Sequence, residues 1–160
     1  MTNCSIVDTG IEDVSGNMIV GAKKNPYLET SDWGWQIDFD GLCHTLNELY
    51  ARYQIPLMVV ENELGAFDKI EEDDYIHDQY ILRKYIKCMK EALEDGVDLM
   101  GYTMCGCTDL VNASTGEMEK HYGFVYVDAG DESKGTFDRY EKDSFYWYKK
   151  VISFNGEDLD

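Results

Sequence analysis

The chain has 160 residues, 44% of them hydrophobic, enough for one compact domain with a buried core. Its 32 acidic residues against 14 basic ones leave a formal charge of −18, which repels phosphate backbones and anionic bilayers and argues against nucleic-acid or membrane-surface binding. Five cysteines without CxxC spacing read as free thiols of a reducing cytoplasm, Cys105-Gly-Cys107 being too weak a pattern for redox chemistry. No apolar run approaches the roughly 18 residues of a membrane helix, and no charged-then-apolar leader opens the sequence, so the expectation is an unexported, cytoplasmic protein.

Residues 1–32 are mixed, polar and glycine-containing, and are expected to form an extended loop. In "SDWGWQIDFDGLCHTLNELYARYQIP", Asp40 precedes Leu42, Leu46, Leu49, Tyr50 and Tyr53, an amphipathic spacing that predicts a helix over about 41–53 with an acidic cap. Pro56 bars its continuation, and "LMVV" reads as a short strand buried on both faces that runs straight into Glu61. The clusters Glu71-Glu72-Asp73-Asp74 and Asp128 to Glu132 read as solvated loops, since neither has the spacing of an EF-hand, and no metal site is expected. From Asp74 to Glu94 apolar residues recur at threes and fours, predicting a helix that Asp95-Gly96 ends. "VDLMGYTMCG" follows as a second strand. Helix, strand, helix, strand at this spacing implies parallel strands with crossover helices.

A loop to about Lys120, a strand in "YGFVYVD", an acidic turn and a last helix through "DSFYWYKKVISF" complete the chain, with Tyr146, Trp147, Tyr148, Val151 and Ile152 expected in the core. His44, His77 and His121 are scattered and receive no ligand role. The fold class is α/β, without internal repeat or linker. Because parallel α/β proteins bind ligands at the carboxyl ends of their strands, Glu61 and the stretch after Tyr102 are the candidate site.

"PLMVVENELG" resembles the strand-seven signature of glycoside hydrolase family 1, in which an apolar strand ends in Glu-Asn-Gly and the glutamate is the nucleophile. "NPYLETSDWGWQID", "GLCHTLNELYARY", "DGVDLMGYT", "DLVNASTGEMEKHYGFVYVD" and "KDSFYWYKKVI" are each similar to the matching stretch of the 6-phospho-β-glucosidase branch, in the right order. The resemblance implies the C-terminal part of a (β/α)8 TIM barrel, strands seven and eight with their helices, as a single partial-barrel domain. Residues 1–40 would be the loop region after strand six and 41–160 the last barrel units. "MTNC" resembles a segment inside the family's chain, so Met1 is expected to be an internal methionine; a truncated gene product, a piece of an interrupted gene and a misplaced start all fit.

Retaining glycosidases need two carboxyl groups roughly 5 Å apart. By resemblance Glu61 is the nucleophile. The acid/base belongs to an Asn-Glu-Pro motif that does not occur in this sequence, and the nucleophile's tyrosine partner would fall upstream of Met1, so the isolated chain is expected to be inactive. A phosphorylated sugar needs hydroxyl donors and a fixed cation around its dianion. The resemblance implies that Ser114, Lys120 and Tyr122 hold the 6-phosphate. Asn112 and Ala113 stand where glucosidases acting on unphosphorylated sugars have Glu-Trp, which favours a phosphorylated substrate. Asn112 and Cys105 would line the sugar subsite, although Cys105 replaces the family's tryptophan and Glu63 stands where glycine is usual. Trp33 and Trp35 either stack on sugar or buttress the barrel, the second being preferred.

The expected function is hydrolysis of 6-phospho-β-glucosides in carbohydrate metabolism, without a cofactor. The alternative is a degenerate, non-catalytic module that associates with itself or with a companion chain through exposed barrel edges. An acidic cation-binding or interaction domain is a weaker third reading.

Overall fold

The computed structural model describes residues 6–7, 22–23, 25–31, 35–62, 69–71, 74–76, 79–113 and 116–160. Cys4, Trp33, Glu63, His77 and Ser114 therefore lie outside the described residues. In chain order the elements are β1 (Ile6–Val7), β2 (Ala22–Lys23), α1 (Phe39–Tyr53), β3 (Leu57–Val59), β4 (Lys69–Glu71), β5 (Asp74–Ile76), α2 (Gln79–Glu94), β6 (Leu99–Tyr102), β7 (Val125–Val127), β8 (Arg139–Glu141) and α3 (Asp143–Ser153). They fall into two compact units, residues 1–60 with 84–102 and residues 61–83 with 103–160.

In the first unit β1 pairs antiparallel with β2, a ribbon inside the stretch expected to be loop. Asp38, not Asp40, caps α1: its carboxylate accepts from Gly41 N at 2.9 Å, while Asp40 lies in the first turn, where a negative charge suits the helix dipole. A Cβ at Gly41 would collide with that capping carboxylate. Leu42 and Leu46 are buried as their spacing requires, whereas Leu49 and Tyr53 stay exposed. The helix stops on Gln54, in the left-handed region at φ 49, whose N–H bonds back to Tyr50 O.

β3 pairs parallel with β6, so α2 is a crossover connection of the kind the element order implies. Tyr85, Cys88, Met89 and Ala92 of α2 are buried at intervals of three and four, and Gly96 ends the helix at φ 96, a conformation only glycine adopts without cost. The strands are not buried on both faces: Met58 is 47%, Val60 70% and Met100 68% exposed. The cause is local, because β3 and β6 form a two-stranded sheet and no further layer covers those side chains among the described residues.

In the second unit β4 and β5 make an antiparallel hairpin, Ile70 opposite Tyr75 and Glu71 opposite Asp74. The helix expected from Asp74 thus begins at Gln79. The apolar residues at 75 and 76 fit a helical period, but they are also aromatic and β-branched, and the pairing with residues 69–71 wins. β7 pairs antiparallel with β8, a strand that the sequence reading missed. Residues 107–109 run beside β7, bridged parallel at Thr108 and Val125, with Phe124 N and Val125 N donating to Cys107 O and Asp109 N to Val125 O. On α3, Trp147 and Val151 are buried and Tyr148 stacks on Phe124 at 4.7 Å, but Tyr146 and Ile152 are exposed rather than in the core. Arg83 lies over the Trp147 ring at 5.8 Å, and Trp147 Nε1 donates to Leu159 O. Among the described residues no helix is long and apolar enough to cross a membrane, and Cys43, Cys88, Cys105 and Cys107 are free thiols.

Candidate active site

Glu61 and Asn62 follow β3 directly, at its carboxyl end. The Glu61 side chain is exposed and that of Asn62 is buried. After β6 the chain bends through Cys105, which is half-buried, and Gly106, whose φ of 86 strains any residue with a side chain and whose Cβ would displace the Leu110 side chain. Trp35 is half-buried, and its backbone is tied to Ser31.

The loop after β6 holds the other candidates. Asn112 N donates to Glu117 O at 2.8 Å and Gly116 N to Asn112 O at 2.9 Å, so the Asn112 backbone is joined to both Gly116, at φ 76, and Glu117. Asn112, Lys120 and Tyr122 are all buried, and Asn112 Nδ2 donates to the Tyr122 hydroxyl. Lys120 Nζ lies 2.9 Å from Glu117 Oε2. The structure thus brings three of the candidates together on one loop, while Glu61 and Cys105 lie on separate segments.

That loop is anchored by a buried ionic cluster. The Asp109 carboxylate, wholly buried, accepts from Lys142 Nζ at 2.9 Å and Gly123 N at 2.7 Å on Oδ1, and from His121 Nδ1 at 2.8 Å and Val127 N at 3.2 Å on Oδ2. Lys142, equally buried, also donates to His121 O at 2.9 Å. Burial pushes the Asp109 carboxyl up, yet the bond from His121, the charge and bond of Lys142 and the Gly123 N–H outweigh it and hold the group below the ordinary carboxylate range. A Cβ at Gly123 would meet the Thr108 and Asp109 backbone, so the close approach of these strands depends on glycine. His121 received no role from the sequence, and neither Asp109 nor Lys142 was a candidate. Their partners are 12 to 33 residues apart, beyond any local spacing pattern.

A fixed ammonium and a phenolic hydroxyl on an anchored loop suit recognition of an anion. The model of glycosyl hydrolase family 1 matches residues 4–157. The chain is 57% identical over 148 residues to the aryl-phospho-β-D-glucosidase BglH of Bacillus subtilis, covering 91% of this chain and 32% of that protein. It is 51% identical over 162 residues to the 6-phospho-β-glucosidase AscB of Escherichia coli, covering 99% of this chain and 34% of that protein. It therefore spans about a third of the length of these relatives. A family 1 β-glucosidase from Thermotoga maritima superposes with a TM-score of 0.73 at 30% identity, over 86% of this chain and 30% of that one. The fold is accordingly part of an α/β barrel that does not close among the described residues.

Proposed function

This chain belongs to glycoside hydrolase family 1, and we propose that it carries the nucleophile and the phosphate-recognition part of a retaining 6-phospho-β-glucosidase site. Glu61 attacks the anomeric carbon as the glycosidic C–O bond breaks, the aglycone oxygen leaving with a proton from an acid/base outside these residues, and water then hydrolyses the glycosyl-enzyme ester; Lys120, Tyr122 and Ser114 hold the 6-phosphate and Asn112 and Cys105 border the sugar. Anchoring the phosphate fixes the ring, so that binding energy from a non-reacting group orients the anomeric carbon. The observation that carries this reading is the loop of Asn112, Lys120 and Tyr122, buried and tied together by the Asn112–Tyr122 bond. The phospho-β-glucosidase names of the relatives support the same substrate class. Free thiols support a reducing cytoplasm as its place of work. Both compact units belong, on this reading, to one partial-barrel domain.

The 160 residues contain no Asn-Glu-Pro, and without a general acid about 10²–10⁴-fold of rate is lost. The chain alone therefore does not turn over an alkyl β-glucoside 6-phosphate, whose alkoxide leaving group depends on that proton. Turnover appears when the acid/base-bearing portion of the Escherichia coli relative completes the barrel, and Glu61→Ala abolishes it. Hydrolysis by the chain alone, or restored activity that survives Glu61→Ala, overturns the proposal.

A second reading, a non-catalytic module that associates with itself or a companion chain, is favoured by the exposure of Met58, Val60 and Met100. Sedimentation showing a stable, cooperatively folding monomer contradicts it.

A further inference from the structure

His121 lies between two of the residues assigned to the sugar phosphate, Lys120 and Tyr122, and its backbone is in the left-handed region at φ 30. A residue with a side chain rarely takes a positive φ, because Cβ then crowds the following carbonyl, and strain of this kind persists only where the surroundings over-determine it. Contacts from distant parts of the sequence hold it here. The ring donates from Nδ1 to Asp109 Oδ2 at 2.8 Å, the His121 carbonyl accepts from Lys142 Nζ at 2.9 Å, and the ring packs on Tyr126 with centroids 4.6 Å apart. Nδ1 is the donor because an ionised carboxylate only accepts. The other oxygen, Asp109 Oδ1, accepts from Gly123 N at 2.7 Å, so one buried carboxylate grips the chain on both sides of Tyr122.

We infer that His121 is a positioning residue of the phosphate site, held in a left-handed conformation by Asp109 and Lys142 so that Lys120 and Tyr122 meet the sugar phosphate from a backbone already fixed. The peptide planes on either side of residue 121 lead to Lys120 and Tyr122, and the two soft dihedrals of His121 set how those planes face one another. When the hold is lost, residue 121 relaxes toward negative φ, and the side chains before and after it spend part of their time in other directions. Affinity then falls with the fraction of chains that keep the binding geometry, although every phosphate-binding side chain is still present. His121 touches no substrate on this account and acts through its neighbours. The inference rests on the assignment of Lys120 and Tyr122 to the sugar phosphate.

The test is calorimetric titration of the 160-residue chain with glucose 6-phosphate and with glucose, using the native sequence, His121→Asn, His121→Gln, His121→Ala, Lys120→Met and, as a control for lost stability alone, Val151→Ala in the buried face of α3. Circular dichroism establishes that each variant is folded, and urea unfolding gives its stability. Asn tolerates positive φ and places an amide N–H where Nδ1 stood, whereas Gln places it one bond further out and Ala has none. The native chain binds glucose 6-phosphate in preference to glucose, and Lys120→Met loses that preference. His121→Asn stays within about 2-fold of the native affinity, while His121→Gln and His121→Ala weaken it about 5- to 30-fold, the scale of the strain no longer held. Val151→Ala, destabilised by lost burial, binds as the native chain does. Where His121→Ala does not fold, the Asn and Gln pair decides. If Lys120→Met loses binding while His121→Gln keeps the native affinity, or His121→Asn is as weak as His121→Gln, or Val151→Ala weakens binding as much as they do, the inference falls and the assignment of Lys120 stands. If Lys120→Met binds as the native chain does, or no chain binds, both fall.

Discussion

Lys142→Met removes a buried charge while keeping much of the side chain's length, and so isolates the ionic anchor of the phosphate loop. Asp109 keeps the bonds from His121, Gly123 and Val127 but loses the ammonium at 2.9 Å in a place with no access to water. Removing one partner of a buried pair costs about 3–5 kcal/mol, because the remaining charge is left uncompensated. Set against a total stability of about 5–15 kcal/mol for a domain, that is a large share. Urea unfolding followed by tryptophan fluorescence should show the midpoint falling accordingly at neutral pH. The double variant Lys142→Met with Asp109→Asn should recover part of the loss, since no buried charge then stands alone. The pH dependence has a definite sign. The Asp109 carboxyl is depressed in the folded chain, so its stabilisation is fully present above the ordinary carboxylate value and is lost as pH falls through the folded one. In Lys142→Met the acid-side loss should begin at higher pH, because one cause of the depression is gone. Stability within about 0.5 kcal/mol of the native chain, with an unchanged acid limb, refutes this account of the anchor.

Asp38→Ala deletes the N-cap of α1 and should cost about 1 kcal/mol in thermal unfolding, whereas Asp40→Ala should cost less; equal effects contradict the capping assignment. Gly123→Ala drives a methyl into the Thr108 and Asp109 backbone and should destabilise by about 1–3 kcal/mol, measured by the same unfolding, and a neutral result shows that the strands are not so close. Met100→Lys places a charge on the exposed apolar face of β6 and should reduce self-association in sedimentation velocity; unchanged association shows that this face is not the contact.

The parallel β3–β6 pair and the final helix were legible because periodicity and punctuation agreed: Pro56 closes one helix, Gly96 another, and short apolar runs sit between them. The β4–β5 hairpin was not, since Tyr75 and Ile76 satisfy both a helical period and a strand's side-chain preference, and only pairing with residues 69–70 decides between them. β8 was hidden for the opposite reason, as Arg139, Tyr140 and Glu141 are all exposed and leave no alternation of burial to read. The family resemblance, rather than any local pattern, singled out Ser114, Lys120 and Tyr122 on one loop and Asn112 as a subsite position, and the structure buries Asn112, Lys120 and Tyr122 there. Asp109 and Lys142 were not singled out, because their meeting is a product of the fold.

The central claim is that Glu61 is the nucleophile of a phosphate-selective site. It is tested most directly by trapping the glycosyl-enzyme in the completed barrel with a 2-deoxy-2-fluoro-β-glucoside 6-phosphate bearing an activated leaving group, followed by peptide mapping. The account predicts a single adduct, on Glu61, that does not form with the unphosphorylated analogue. An adduct on another residue, or equal labelling by both sugars, contradicts it.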